Sequence, residues 1–382
     1  MDQGKAKAVF VSKNPGNSSM SSRDLSFAGT ICQQSYGNSP FVEVADLSHG
    51  NFRGPRGWHL KGLPAECMLT SVMDGIGTKV VLIDAAGTYE QAAHDIIAMT
   101  AMDITRYGGL PLVFTSILDV NTLGEEDSET RVAARTLMKG LAQVAAQHQY
   151  VLLTGETAEL GACVASENPE ARLAFNWGSA MTGVYHPEKM ILGDSLAPGQ
   201  VVIVLQDTFR SNGISSVRKA LALRYGATWW NNPEARKHIL QAATPSTQYD
   251  RFINNLHGWF APNLQPIVKL HLVSHLSGGA FRGKFGDLLK AQGLSAELHD
   301  LFDPPSIMQE CAEWRGMSSE ECYETWNGGQ GALLVVDRAE ADLIIQAAEA
   351  AGVNAQIAGG ITQQQDFTVA IRSKFDGNWI QY

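Results

Sequence analysis

The sequence lacks the features that would tie it to a membrane, a disulfide framework or a nucleic acid. No stretch approaches the roughly 18 consecutive apolar residues that a transmembrane helix needs. Five cysteines, Cys32, Cys67, Cys163, Cys311 and Cys322, are scattered, odd in number and without a Cys-x-x-Cys pair. That pattern suits a reducing, cytoplasmic setting better than a set of disulfides. A formal net charge of −10 argues against a broad surface for nucleic acid or anionic membrane. There is no internal repeat, low-complexity tract or coiled-coil heptad. Residues 1–22 are polar, with Lys5, Lys7 and Lys13 but no apolar core of a secretory signal. They are expected to form a flexible N-terminal arm.

What remains is a chain of 382 residues, 45% hydrophobic and 18% charged. Such a chain folds into a globular structure and is long enough for two domains with separate cores. Glycine, proline and polar residues cluster at 187–199, which sets a boundary between a domain of residues 23–188 and one of residues 189–382. Residues 23–64 are punctuated by glycine, and Ser48 to Gly57 reads as loop.

The chemistry gathers first around Met73 to Lys79, Met-Asp-Gly-Ile-Gly-Thr-Lys. An apolar strand-like run ends here in an acid and a glycine-rich turn. Gly75 and Gly77 carry no Cβ, so their backbone N–H groups can approach a phosphate. Asp74 suits a magnesium ion, and Lys79 suits phosphate oxygens. The bland reading of the same residues is a tight turn with an ordinary surface lysine.

Helical spacing over Tyr89 to Tyr107 places Asp95 and Asp103 about 80° apart around the axis, bordering one face. Asp103, set among Met99, Met102 and Ile104, reads as a ligand, whereas Asp95 alone suits a half-solvated face. Strands are expected over Leu112–Leu118 and Tyr150–Thr154, with an amphipathic helix over Ser128–Gln147 between them. If a helical turn opens after Thr154, Glu156 and Glu159 share one face. A strand over Phe175–Tyr185 closes the first domain. In the second, strands are expected over Val201–Leu205, His271–Leu276 and Ala332–Val336. Arg210-Ser-Asn-Gly213 precedes a helix over Ile214–Tyr225 whose N-terminus suits an anion. A second helix is expected over Ala339–Ala351, and Ala355–Ile371 reads as two strands joined by a polar turn.

Taken in order, these stretches resemble the aminoimidazole ribonucleotide synthetases, the phosphoribosylformylglycinamidine cyclo-ligases. Asp74-Gly-Ile-Gly-Thr-Lys79 is similar to the family's Asp-Gly-Val-Gly-Thr-Lys, and Thr154-Gly-Glu-Thr-Ala-Glu159 to its Gly-Gly-Glu-Thr-Ala-Glu. His94 to Met99 with Met102-Asp-Ile resembles its acid-bearing helix. Arg210-Ser-Asn-Gly, Ser277-Gly-Gly and Trp326-Asn-Gly-Gly resemble its His-Ser-Asn-Gly, Thr-Gly-Gly-Gly and Phe-Asn-Met-Gly.

The resemblance implies an α/β (α+β) fold in two domains. The N-terminal sheet would be a half-barrel completed in a homodimer, with a C-terminal α/β domain behind it. It implies ATP-driven ring closure of a phosphoribosyl substrate, with ATP and Mg2+ as cofactors. Carried onto this chain, the catalytic residues would be Asp74, Lys79, Glu159 and Arg210. Cofactor contacts would be Gly75, Gly77, Thr78, Lys79, Asp95, Gly155, Asn212, Ser277, Gly278 and Gly279. The metal would be held by Asp74, Asp103 and Glu156.

Departures mark a divergent branch. Arg210 stands where the family pattern has His, and arginine clamps anions rather than shuttling protons. Met102 replaces an Asn, Asn176 stands where an acid is common, and residues 226–262 and the stretch around Asp303-Pro-Pro305 have no clear counterpart. Rival readings are sister enzymes, of the thiamine-monophosphate kinase or selenophosphate synthetase kind, and a non-catalytic nucleotide-binding paralogue. The surrounding Gly-Thr-Ile-Cys-Gln-Gln of Cys32 lacks the lysine that a selenophosphate synthetase needs, and no cysteine tail of the hydrogenase-maturation kind ends the chain.

Overall fold

Alternation along Phe175–Tyr185 shows how the first half is built. Phe175, Trp177, Ser179 and Met181 are buried on one side of this strand, while Asn176 is exposed on the other, the two-residue period of a sheet with one covered face. The computed structural model describes residues 22–49, 54–277 and 279–382. The expected N-terminal arm therefore lies outside the described residues, except Ser22, and so does Gly278.

Elements run in the order α1 (Ser22–Ser35), β1 (Val42–Asp46), β2 (Arg56–Leu60), β3 (Met68–Gly75), α2 (Lys79–Ala86), α3 (Ala92–Thr105), β4 (Leu110–Val120), α4 (Glu129–His148), β5 (Val151–Glu159) and β6 (Phe175–Tyr185). The strands β3, β6, β4 and β5 form a sheet in that order, with β3–β6 and β6–β4 antiparallel and β4–β5 parallel. Its inner face packs on α1, α3 and α4 through a core that includes Ile96, Ile97, Phe114, Leu137 and Trp177. Its outer face leaves Leu69, Met73 and Ile117 exposed.

The second half continues with β7 (Val201–Gln206), α5 (Ile214–Tyr225), α6 (Arg236–Ala242), α7 (Asp250–Leu256), β8 (Leu272–His275), a π-helix (Ala280–Gly286), α8 (Asp287–Ala291), β9 (Ser295–Leu298), α9 (Ser306–Arg315), α10 (Ser319–Thr325), β10 (Gln330–Val336), α11 (Ala341–Ala350), β11 (Ala355–Thr362), β12 (Val369–Arg372) and β13 (Trp379–Gln381). Seven strands pair in the order β13-β12-β9-β11-β7-β10-β8. Strand β10 is buried along its whole length, as a central strand covered on both faces should be.

The structure refines three expectations. Around the loop expected at Ser48 to Gly57, residues 23–64 also hold α1 and the antiparallel β1–β2 pair, and β2 already begins at Arg56. The signal was weak because α1 is held by long-range charge, Asp24 pairing with Arg131 and, at 2.7 Å, with Arg135 of α4. Strand β5 runs unbroken to Glu159, so no helical turn opens after Thr154. Parallel pairing with β4 extends the strand. The two strands expected within Ala355–Ile371 are present as β11 and β12, and β9 lies between them in the sheet.

At the boundary between the halves, the Lys189 ammonium donates to the carbonyls of His257 (2.6 Å) and Leu264 (2.8 Å). His257 in turn bonds the Lys189 carbonyl through Nε2 at 2.7 Å. Burial, helped by the Lys189 charge, pushes His257 down to about 4. The folded chain thus holds His257 neutral, whereas the unfolded chain protonates it near pH 6.5. Its contribution is complete above about pH 6.5 and is lost as pH falls towards 4, by on the order of 3 kcal/mol. Urea unfolding at pH 7.5 and at pH 4.5 tests this. Replacing His257 by Gln should flatten the pH dependence, and an unchanged slope would refute the assignment.

Candidate active site

The turn after β3 is shaped by two constraints. Asp74 Oδ1 accepts from the Gly75 N–H at 2.7 Å, and Gly77 has φ of +62°, a conformation that favours glycine. A Cβ on Gly77 would lie 3.7 Å from the Ser211 carbonyl of the second half. The glycine-rich turn of one half therefore abuts the Arg210-Ser-Asn-Gly loop of the other. Thr78 and Gly77 are exposed there.

Lys79 does not face this opening. It is fully buried at the start of α2, and its ammonium donates to Asp95 Oδ1 (2.7 Å) and to the carbonyls of Phe209 and Thr244 (2.8 Å each). An ammonium has three donors, so all are taken, and none is left for a phosphate. Asp95 is likewise fully buried and accepts on the same oxygen from the Ser246 backbone and hydroxyl (3.0 and 2.7 Å). Lys79 and Asp95 are thus a structural pair between the halves and not the ligand contacts expected of them.

Asp74 and Asp103 do come together. Burial pushes the Asp74 carboxyl above the usual carboxylate range, and the Asp103 charge adds to this against the Gly75 N–H and Lys284. Asp103 also pairs with Arg106 at 3.6 Å. Glu156 does not join them. In register, Gly75 faces Gly178, Ile117 and then Glu156, so three strand spacings of about 4.8 Å separate the two edges, on the order of 14 Å. Being in line with Gly75 and not Asp74, Glu156 also points to the opposite, outer face, where it is exposed. Gly155 lies at the same far edge, removed from the turn. Glu159 accepts from Leu123 N (2.7 Å) and Thr122 Oγ1 (3.2 Å) and so holds the loop before α4. Among the described residues no group of three His, Cys, Asp or Glu is placed to hold a metal ion. Two carboxylates fit a magnesium ion that keeps waters and takes further oxygens from phosphate, which is the usual mode for this ion.

Across the cleft, three loops of the second half meet in one small pocket lined by Phe209, Arg210, Asn212, Leu276, Ser277, Trp326 and Asn327. Strand ends explain the meeting. The segment after β7 carries Arg210 and Asn212, that after β8 carries Ser277, and β10 between them is entered from Trp326 and Asn327. Trp326 Nε1 donates to the Gly213 carbonyl (3.1 Å), Asn327 Nδ2 to that of Thr208 (3.2 Å). Gly279 adopts φ of +69° and its N–H donates to the Glu324 carbonyl at 3.2 Å.

Arg210 is 2% exposed and paired with Asp207 at 2.7 Å. It is therefore not a solvated surface charge. Its Nη1 has no hydrogen-bond partner among the described residues. Two further residues belong to this cleft and were missed by sequence reading. His275, the last residue of β8, is fully buried with neither ring nitrogen bonded among the described residues. Lys284, on the π-helix, donates to Ser277 Oγ. The signal for both was only their position beside Ser277-Gly-Gly.

Family models match both halves: "AIR synthase related protein, N-terminal domain" over residues 62–175 and "AIR synthase related protein, C-terminal domain" over residues 197–372. Among curated proteins, the phosphoribosylformylglycinamidine cyclo-ligase of Lachnoclostridium phytofermentans is 28% identical over 299 residues, 78% of this chain and 82% of the relative. That of Staphylococcus carnosus is 27% identical over 338 residues, 87% of each chain. Of the solved structures, E. coli HypE superposes with a TM-score of 0.59 at 15% identity, covering 94% of this chain and 96% of that one. A hydrogenase maturation protein HypE in complex with ATP gives 0.55 at 12% identity, over 84% and 85%. At such identities the structural likeness speaks for the fold alone.

The burial of Lys79 generates a sharp expectation. Lys79→Met leaves the Asp95 carboxylate buried without its cation, which costs about 3–5 kcal/mol. Urea unfolding of the variant should show that loss. An unchanged midpoint would return Lys79 to an exposed role facing a ligand.

Proposed function

The chain belongs to the AIR synthase related family, and from that premise we propose that it is an ATP-dependent cyclo-ligase. It would close formylglycinamidine ribonucleotide to aminoimidazole ribonucleotide, a step of purine biosynthesis. One observation carries the reading: the Arg210–Gly213 loop, Ser277 and the Trp326–Asn327 corner, far apart in sequence, line one small pocket of the second half, and the glycine turn of the first half abuts the same loop at Ser211. The naming of the curated relatives as cyclo-ligases supports the same reaction class.

In this reaction the formyl oxygen attacks the terminal phosphorus of ATP and ADP leaves. The amidine nitrogen then bonds to the activated carbon, inorganic phosphate departs with the former formyl oxygen, and a nitrogen-bound proton is released. Asp74 and Asp103 are the residues that would hold magnesium, which when bound neutralises charge on the phosphates. The Gly77 and Thr78 backbone offers N–H donors to the nucleotide side of the cleft, those of Gly75 and Ile76 being taken by Asp74 and the Trp177 carbonyl. Asn212 and Ser277 stand on the opposite wall and orient the substrate. Arg210 stabilises the charged intermediate by a fixed donor, since its guanidinium stays protonated across the working range.

The experiment is an assay of ADP release with formylglycinamidine ribonucleotide beside thiamine monophosphate. ADP release on the first substrate alone is expected. Asp74→Asn should lower turnover by about 100-fold or more with its unfolding midpoint unchanged. Release on thiamine monophosphate instead would make the chain a kinase.

The outer face of the four-stranded sheet carries Leu69 at 64% exposure and Met73 at 80%. Together with Ile117 on β4, across the intervening β6, they make an apolar face that a second copy would cover. We propose a homodimer through this face. Sedimentation should give a dimer, and Met73→Lys should shift it to monomer. A wild-type monomer at micromolar concentration would sink this assembly.

A further inference from the structure

We propose that Ser195, His271 and Asp337 form a second catalytic site, a serine-nucleophile triad acting on small activated carboxylic esters. It lies away from the cleft and does not rest on the cyclo-ligase reading.

Sheet topology brings the three residues together. Ser195 lies in the turn that leads into β7, His271 immediately precedes β8, and Asp337 immediately follows β10. Strand β10 runs antiparallel to both neighbours, with Val336 opposite Val201 and Val335 opposite Leu272. The start of β7, the start of β8 and the end of β10 therefore share one end of the sheet. Arg210 and Ser277 follow the other ends of β7 and β8, so the length of β7 separates the two sites by on the order of 20 Å.

The contacts give each residue a role. His271 Nε2 lies 3.1 Å from Asp337 Oδ1, and Ser195 Oγ lies 2.7 Å from His271 Nδ1. A carboxylate only accepts, so Nε2 carries the proton and donates to Asp337. Nδ1 keeps its lone pair, and the Ser195 hydroxyl donates to it. Nucleophile and base are thus within hydrogen-bond reach, with the base oriented by a third group. The two ring nitrogens exchange the places they hold in serine proteases, while the roles are kept. The imidazole is 4% exposed, whereas Ser195 is open to solvent, so the base is held firmly and the nucleophile can be reached. Gln200, itself buried, fixes the frame as a positioning residue. Its Nε2 donates to the Ser195 carbonyl (3.1 Å) and to Asp337 Oδ1 (3.4 Å), and its Oε1 accepts from Ala197 N (2.9 Å). The N–H groups of Asp194 and Ser195 enter no backbone hydrogen bond among the described residues and are available to an oxyanion. A turn merely pinned to the surface needs the Ser195–His271 contact alone; the Asp337 and Gln200 contacts supply the orientation that a base needs.

In the reaction the Ser195 oxygen bonds to the ester carbonyl carbon as its proton passes to His271 Nδ1. The bond from that carbon to the leaving oxygen then breaks, and the leaving group takes the proton. Water, giving its proton to the same nitrogen, releases the carboxylic acid and restores Ser195. An exposed serine encloses little of its ligand and so draws little on binding energy, which favours a short acyl group on a good leaving group such as a phenolate.

The test uses the full chain with p-nitrophenyl acetate and, separately, diisopropyl fluorophosphate, the second read by mass spectrometry of peptides. With that reagent the Ser195 oxygen bonds to phosphorus, fluoride leaves and the proton goes to His271. Wild-type protein should be labelled at Ser195 and should release p-nitrophenolate with turnover. Ser195→Ala should abolish the label on that peptide. His271→Gln and Asp337→Asn should each slow labelling and ester turnover by about 100-fold. For Asp337→Asn the fall should be in kcat with KM unchanged, because an amide can donate to Nε2 and leave Nδ1 protonated and unable to accept from Ser195. Asp337 is 54% exposed, so this variant keeps its fold and decides the question even where His271→Gln does not fold. No label on Ser195 in the wild type, or a labelling rate in Asp337→Asn equal to that of the wild type, overturns the proposal.

Discussion

The buried pair of Lys79 and Asp95 is the interaction on which the rest of the cleft depends. Taking both charges out of water is expensive, and it is tolerated only because every donor of Lys79 is used and Asp95 gains two bonds from Ser246. Apart from the Lys79–Asp95 bond itself, each of those bonds crosses between the halves. Lys79 holds the Phe209 carbonyl and so fixes the residue next to Arg210. It also holds Thr244, and Asp207 completes the clasp by accepting from Thr247 N at 2.9 Å. A change in this pair would move both walls of the site at once, although neither residue touches the opening.

The same clasp explains why residues 226–262 resisted sequence reading. Helices α6 and α7 are seven residues each, too short for periodicity to announce them. What fixes them is contact with the first half. Arg236 donates to the Ala85 and Ala86 carbonyls at the end of α2 (2.7 and 2.8 Å), Gln248 to the His94 carbonyl, and Asp250 accepts from Tyr150. None of these pairings has a local signature. By contrast, β6 over Phe175–Tyr185 and α5 over Ile214–Tyr225 carry their own periodicity or capping context, and their expected bounds coincide with the observed ones.

The site was legible to the same extent and for the same reason. Motifs that bring their own backbone geometry, the glycine turn after β3 and the loops at Arg210, Ser277 and Trp326, do converge. The acids did not follow from spacing. Glu156 and Glu159 were given one face on the assumption of a helical turn, and the parallel ladder with β4 places them on opposite faces of a strand instead. Asp95 and Asp103 were placed at the border of one helix face, Asp103 as a ligand and Asp95 as half-solvated, whereas Asp95 is fully buried against Lys79 and Asp103 pairs with Arg106. Register and partner are non-local quantities, so a single sequence could name the residue types and not their grouping.

Charge brings these points together. The chain as a whole is acidic, at −10, yet Arg106, Arg210 and Lys284 gather where its two halves meet. Each arginine has an acid beside it, Asp103 at 3.6 Å from Arg106 and Asp207 at 2.7 Å from Arg210, so the cluster is one of paired charges where low dielectric strengthens attraction. Under the proposed function, Asp74 and Asp103 are too few to enclose a magnesium ion by themselves, and the ion's remaining oxygens would come from water and from phosphate.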